Sequence, residues 1–550
     1  MKTFNKILFI LILLLAAITR FWNLDQNPPS LNWDEISHGY NAYSLLKTGK
    51  DQWLQSWPIF NFRAYGDYPT TLNMYLTLPL VSLFGLNPLI SRLPTAILGF
   101  LLIPLSFYLS RIFLKNTKPA LFVALLVAIS PWTLFTSRAV YQSTVALFFL
   151  LAGILLNYLS INTKKKWLLL PGTFFWLFSS FAYHNTKIVA PLLLLIFILL
   201  YKNEFVYLFK KFPRLIYSSL FLSLVLIVPL VFNILSSDSR ARSSWVFILN
   251  DSAINTININ RNQIENPIIG KLVANKATYF LPIFVNNYLQ FLNPVNLFYK
   301  ASGHHHYNLP NYGLIYSVLL PFFYLGFIAT LLSLKKNKNN LFLILWWLIG
   351  LLPAALTTGD FPVLRAMTIL PLPFIFIAKG VILTTYLFKN KLSKKILLVS
   401  ITTLTLIQFL NYWKNYNYDF PKNYSQSWQY GYQQMVEYIK DNYQDYDQIL
   451  ITKKYGEPHE FILYYWPWDP KSYQNDTNKV TDYHSDWYWV DSFDKFTFLN
   501  DWEVQEKTKN IENKTLLITS PSNYNSDIFN KLTTIYFLNG QPAFDILQNE

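Results

Sequence analysis

Between Met1 and Asn203 only five residues carry a carboxylate: Asp25, Asp34, Glu35, Asp51 and Asp67. Two are adjacent, within Asn32-Trp33-Asp34-Glu35-Ile36-Ser37-His38-Gly39, and Asp67 stands in a second acidic spot, Tyr65-Gly66-Asp67-Tyr68-Pro69. A carboxylate held within reach of a hydroxyl is a general base, and an acidic pair in an otherwise acid-poor half is suited to that work. Carboxylates next to a bilayer carry a free-energy penalty and are seldom accidental. A purely structural account also exists, in which Asp34 caps the helix after it and Glu35 sits in the first turn.

The opposite charge is placed as suggestively. Arg138 follows Ser137, Lys187 closes Tyr183-His184-Asn185-Thr186-Lys187, and Arg365 follows Asp360-Phe-Pro-Val-Leu, each at the end of an apolar run. Arginine holds a phosphodiester in a fork and lysine acts as a point charge, so such residues suit an anionic leaving group. The alternative for each is snorkelling to lipid head groups. Tyr183, His184, Tyr68 and His305, the last within His304-His305-His306, are placed as substrate contacts; three adjacent histidines do not easily face one ion, so no metal is assigned to them. The tryptophans at 466, 468, 487 and 489 suit stacking on sugars, and core packing equally well.

The elements that must position these groups are membrane helices. The chain has 550 residues, of which 52% are hydrophobic and 14% charged, far from the quarter charged in soluble globules. Apolar runs near 5–22, 93–113, 119–136, 143–161, 167–183, 188–201, 214–235, 314–334, 341–357, 366–388 and 396–412 are long enough to predict about eleven transmembrane helices. The net charge of +16 is distributed as short basic clusters between these runs, the pattern of cytoplasmic loops and not of a nucleic-acid surface. With no cysteine, disulfides, thiol catalysis and Cys-ligated zinc are excluded. The first apolar run lacks a small-residue cleavage site and is read as a retained span.

Positive charge then orients the chain. If Thr70 to Leu86 does not cross, the clusters at Lys115/Lys118, Lys164–Lys166, Lys202–Arg214, Lys335–Lys338 and Lys389–Lys395 all share the cytoplasm with the N-terminus. That run is therefore read as a juxtamembrane or re-entrant helix. The segments 23–91, 131–142, 183–187, 236–312, 357–365 and everything after Tyr412 fall outside, and they hold nearly every unusual polar residue. Residues 1–412 are expected to form the membrane domain and 413–550 an extracytoplasmic α/β domain, with a helix at 432–442 and strands at 448–452, 461–465 and 515–519.

Trp33-Asp34-Glu35 after the first span, Gly66-Asp67-Tyr68-Pro69, Arg92-Leu-Pro-Thr-Ala-Ile-Leu-Gly99 and Ser137-Arg138 together resemble the GT-C membrane glycosyltransferases, closest to the protein O-mannosyltransferases and the lipid A aminoarabinose transferases. The resemblance spans roughly residues 1–412. It implies Asp34 as general base, Glu35 as its neighbour, Asp67 as the second acidic motif, and Arg92 and Arg138 as basic residues that hold a carrier phosphate. Pro69-Thr70-Thr71 departs from the Pro-Pro and Lys that relatives often carry there. The implied activity is transfer of a sugar from a polyprenyl-phosphate carrier to a hydroxyl of a protein, lipid or glycan in the cell membrane, by one displacement and hence with inversion. No cofactor is required by these residues, a divalent cation is left open, and no nucleic acid is expected as a partner. The rival from another class is a transporter or flippase of lipid-linked saccharides, which would more often show inverted repeats or helices broken at mid-membrane; a receptor reading leaves the acids of the first loop unexplained.

Overall fold

The computed structural model describes residues 3–235, 246–485 and 487–549; the first ten residues of the expected loop 236–312 lie outside them. The chain divides into two compact units. One comprises Met1–Trp22, Ile97–Ser137 and Tyr141–Tyr412; the other comprises Asn23–Ala96, Arg138–Val140 and Trp413–Glu550.

The first unit is helical. Each of the eleven apolar runs contains a helix, among them Thr3–Phe21, Pro88–Leu114, Gln142–Asn162, Pro213–Ile234, Lys338–Ala355 and Lys391–Asn417, which are long and apolar enough to cross a membrane. Others, such as Thr117–Ile129, Leu320–Leu332 and Leu372–Tyr386, are shorter, and Thr186–Leu200 bends by 82° into Lys202–Lys211. The chain is a multi-pass membrane protein. One difference from the expectation lies in 236–312: Pro267–Val273 and Lys276–Gln290 together are also apolar enough to span, a signal diluted in the sequence by Asn275, Lys276, Asn286 and Asn287.

Packing inside this unit relies on small residues. A methyl added to Gly326 would lie 1.8 Å from the Phe376 carbonyl oxygen, and one on Gly380 would lie 1.9 Å from that of Phe322. The helices Leu320–Leu332 and Leu372–Tyr386 therefore meet backbone to backbone, as apolar helices do when no hydrophobic force draws them together in lipid. At the end of the first helix the buried Arg20 donates to the Ala128 and Val127 carbonyls, which the helix Thr117–Ile129 leaves unpaired at its C-terminus.

The second unit is built on a seven-stranded sheet: β1 (Gln448–Thr452), β2 (Val480–His484), β3 (Trp487–Phe493), β4 (Phe496–Leu499), β5 (Thr515–Thr519), β6 (Phe529–Tyr536) and β7 (Pro542–Asn549), in the order β2-β3-β4-β1-β5-β7-β6. β1 runs parallel to both β4 and β5, and the remaining pairs are antiparallel. Ile449, Ile451, Leu516 and Ile518 pack on one face beneath the helices Tyr432–Asp441 and Pro458–Tyr465, while Leu450 and Leu517 pack on the other with Val504 and Leu547. Burial on both faces explains why Ile449-Leu-Ile451 and Leu516-Leu-Ile518 are unbroken apolar runs. The expected strand at 461–465 is instead the end of the helix Pro458–Tyr465. Its residues are buried nearly all round, so no period distinguishes helix from strand, and Pro458 at the first turn favours the helix.

Leu31, Ile36 and Tyr40 of the segment after the first span join this same core. Ile36 and Tyr40 enter on the helix Trp33–Thr48, whose Gly39 lets it seat against the helix Pro458–Tyr465: a Cβ there would be 2.6 Å from the Tyr464 ring and 2.8 Å from Ser91 Oγ. Tyr464 and Ser91 hydroxyls are 2.6 Å apart. The helix Leu72–Phe84 follows, and its 13 residues rise about 20 Å, short of a ~30 Å hydrocarbon core.

Candidate functional site

The acidic pair divides into two different environments. The N-cap of the helix Trp33–Thr48 is Asn32, not Asp34: Asn32 Oδ1 accepts from the Glu35 amide at 3.0 Å, and Glu35 Oε2 accepts from the Asn32 amide at 3.2 Å. This reciprocal box satisfies two of the helix's unpaired amide hydrogens. Glu35 is 1% exposed, and its carboxylate also takes the Val140 amide at 3.1 Å and the Arg92 guanidinium at 2.9 and 3.0 Å. Asp34, one residue earlier, is exposed in the first turn, where the helix dipole favours an anion.

Arg92 is itself fully buried, and all five of its N–H hydrogens are committed. Nε and one Nη2 hydrogen go to Glu35, the other Nη2 hydrogen to the Ser30 carbonyl at 2.5 Å, and the two Nη1 hydrogens to the Leu24 and Pro28 carbonyls at 3.0 and 2.9 Å. It fixes the turn 24–30 to the start of the helix and has no hydrogen left for a phosphate. Arg138 is equally buried: Nε donates to Tyr416 Oη at 3.2 Å, Nη2 donates to the Asn23 and Asn27 carbonyls at 3.1 and 2.9 Å, and the guanidinium lies 5.4 Å from the Tyr416 ring centre. Arg92 and Arg138, expected from the resemblance to hold a carrier phosphate, are thus both buried and engaged with protein groups, and neither guanidinium reaches the surface. The same geometry makes Glu35 a structural partner.

An aromatic group packs beside the start of the helix Trp33–Thr48. Tyr65 donates its hydroxyl to the Trp33 carbonyl at 2.9 Å and stacks on Trp487 at 5.5 Å and 8°, and Trp487 Nε1 donates to Glu457 Oε1 at 2.6 Å. Burial pushes the Tyr65 hydroxyl well above its ordinary range, and the nearby Glu460, Asp34 and Glu457 carboxylates add to it. Glu457 and Glu460 flank His459, whose nitrogens lie 3.5 Å from each, and burial raises the Glu457 carboxyl. This Glu457-Pro-His-Glu460 group is not among the candidates drawn from the sequence above, although its two acids and one imidazole within four residues carry an acid–imidazole–acid signal. Asp67 closes a tight turn by pairing with Ala64, and its Oδ1 accepts the Tyr68 amide at 2.7 Å. The Tyr68 hydroxyl is 3.5 Å from that of Tyr488 and is raised to about 12, by burial first and then by Tyr488.

The other expected residues belong to the helical unit. Lys187 Nζ donates to Asn233 Oδ1 at 2.7 Å and lies 3.2 Å from His184 Nδ1. Asn185 Nδ2 donates to the Arg365 carbonyl at 2.8 Å, which joins the start of the helix Thr186–Leu200 to the turn 357–365; Tyr183 accepts at its carbonyl from Thr186 Oγ1. Arg365 is half-buried. Its Nη1 donates to Thr357 Oγ1 and the Thr358 carbonyl, while Nε and Nη2 have no protein partner among the described residues. His304 stacks on Tyr307 at 4.4 Å, the Tyr141 hydroxyl donates to the His306 carbonyl, and burial lowers His305. Among the described residues no three His, Asp or Glu side chains are grouped to hold a metal ion.

The chain combines a many-helix unit with a mixed α/β unit that includes the acidic loop after the first span. The fold is similar over 100% of the chain, and 99% of the other protein, to ArnT from Cupriavidus metallidurans bound to undecaprenyl phosphate, with a TM-score of 0.54 and 11% identity. The apo state of that protein gives a TM-score of 0.53 over 98% of this chain and 97% of the other, again at 11% identity. The apo oligosaccharyltransferase of Archaeoglobus fulgidus gives a TM-score of 0.51 at 13% identity, covering 84% of this chain, which spans only 64% of the archaeal protein. No protein-family model and no curated protein sequence matches the chain. At such identities the likeness establishes the fold.

Proposed function

We propose that this protein transfers a sugar from a polyprenyl-phosphate carrier to an acceptor hydroxyl on a protein, lipid or glycan, on the side of the membrane opposite the basic loops. The observation that carries the proposal is the division of the acidic pair: Glu35 is locked with Arg92 beneath the helix start, and this leaves Asp34 exposed at a rigid N-terminus. Undecaprenyl phosphate in the structurally similar ArnT supports the carrier class.

In the reaction Asp34 takes the acceptor proton as the acceptor oxygen bonds to the anomeric carbon. The bond from that carbon to the carrier oxygen breaks, and its electron pair leaves with the phosphate. Lys187 and Arg365 are the cations that the sequence offers for that developing charge, and Arg365 keeps Nε and Nη2 uncommitted among the described residues. A single displacement inverts the anomeric centre.

Asp34→Asn keeps size and surface character and removes the proton acceptor, so single-turnover transfer from synthetic polyprenyl-phosphate sugars should fall by ~10²-fold or more. The melting temperature should be unchanged. Wild-type transfer by this variant would remove Asp34 from the chemistry, and a protein that moves carrier across vesicles without making product would be a flippase.

A further inference from the structure

The three parallel strands of the second unit end in register, with Thr452 of β1 beside Leu499 of β4, and Ile451 beside Ile518 of β5. The chain leaves the central β1 to reach β4 on one side and later β5 on the other, so the crevice beyond these strand ends lies where the winding reverses. In α/β sheets such a crevice, outside the carboxyl ends of the strands, is where ligands bind. Here it is a cleft of about 540 Å³, and the residues that line it come directly after the strands: Lys453 and Lys454 after β1, Asn500, Asp501 and Trp502 after β4, and Asn523 after β5. Trp489 of β3 adds a wall.

The chemistry of the lining narrows the ligand. Trp502 is 81% exposed, so a large apolar face stands in water at the mouth of a cleft whose other lining residues, Trp489 apart, are Lys453, Lys454, Asn500, Asp501 and Asn523. The charges are paired within the cleft: Lys453 with Asp491, its Nζ also 5.1 Å over the Trp489 ring, and Lys454 with Asp501 at 3.1 Å. Asp501 is held rigid by Thr452 and Ser520 hydroxyls at 2.8 and 3.0 Å, and its carbonyl takes Asn523 Nδ2 at 2.6 Å. The lysine ammonium groups keep hydrogens beyond these pairs, and Asn523 keeps its Oδ1 as an acceptor among the described residues.

A ligand that matches has a flat C–H face for the indole and hydroxyls for ammonium and amide groups, without net charge. We propose that this cleft is a saccharide-binding site, which takes one or two pyranose units of a neutral glycan with one ring face on Trp502. None of its lining residues is among those assigned to transfer, and the proposal does not depend on that assignment.

The test uses the full chain in nanodiscs, with cellotriose, maltotriose and mannotriose as probes and ligand-observed saturation-transfer NMR as the readout. At least one trisaccharide should receive saturation on the C–H protons of one or two rings. Trp502→Ala should weaken that binding about tenfold or more, and Trp502→Phe should keep most of it. Because Trp502 is exposed, neither change disturbs the core, and an unchanged melting temperature verifies this. Asp34→Asn should bind as wild type does, so loss of transfer and loss of this site read out separately. Absence of saturation for all three sugars, or undiminished binding by Trp502→Ala, overturns the proposal.

Discussion

Arg92→Met asks whether this arginine holds the protein together or holds the substrate. The substitution keeps most of the side chain's length and removes five hydrogen-bond donors at once. Glu35, 1% exposed, then has no cation, and the carbonyls of Leu24, Pro28 and Ser30 each lose a donor. Removing one partner of a buried pair costs roughly 3–5 kcal/mol, because the other charge stays uncompensated. At about 2–4 °C per kcal/mol for a unit of this size, melting should fall by roughly 6–20 °C. Intrinsic-fluorescence melting of detergent-purified protein measures this directly. Arg92→Lys should recover only part of the loss, because an ammonium offers three hydrogens from one point where the guanidinium offers five in a plane. The double variant Glu35→Gln/Arg92→Met should melt above Arg92→Met alone, since no buried charge is then stranded. If Arg92→Met melts within a degree or two of wild type but loses transfer, the positioning role is wrong and Arg92 acts on the substrate.

Arg365→Ala should lower the single-turnover rate at saturating carrier by ~10²–10³-fold, with a smaller change in carrier affinity, and Arg365→Lys should restore part of it; wild-type rates in both would leave snorkelling as the account. Asp51 accepts the Trp53 and Gln55 amides, yet burial lifts its carboxyl to about 6 from an ordinary value of 3.8. A carboxyl raised on folding stabilises fully below pH 3.8, and that contribution is lost as pH rises through 6. Asp51→Asn should therefore stabilise by about 1–3 kcal/mol at pH 7.5 and by little at pH 4, as read by melting at the two values. His38 has the opposite sign: burial lowers it to about 3 from 6.5, so the folded protein loses stability as pH falls below 6.5, by about 2 kcal/mol at pH 5. His38→Gln should flatten that part of the stability profile, and an unchanged slope between pH 6.5 and 5 would show that His38 is not what titrates.

Local composition was enough to determine much of this protein. Each of the eleven apolar runs contains a helix, and seven helices among the described residues are long and apolar enough to cross a membrane; a lipid-facing backbone must satisfy its hydrogen bonds within the segment, and that requirement is visible in any window of some twenty residues. The strands at 448–452 and 515–519 were legible for a related reason: Ile449-Leu-Ile451 and Leu516-Leu-Ile518 are β-branched or apolar throughout and too short for anything but a buried strand. The acids of the first loop were visible as well, since an acid-poor half leaves so few.

What each charged residue does was decided by tertiary structure. Asp34 and Glu35 are neighbours of equal chemistry, and only the arrival of Arg92 and the Val140 amide from distant parts of the chain makes one a buried partner and the other an exposed acid. Arg92, Arg138 and Arg365 all stand near span ends in the sequence, but the carbonyls of residues 23–30 occupy the first two and leave Arg365 with donors to offer. The residues after β1, β4 and β5 become one cleft only because three strands far apart in the chain run parallel and end together. Hydrophobic period and propensity act over a turn or two, whereas hydrogen-bond partners and burial are set by which segments meet, and that information is in no single window.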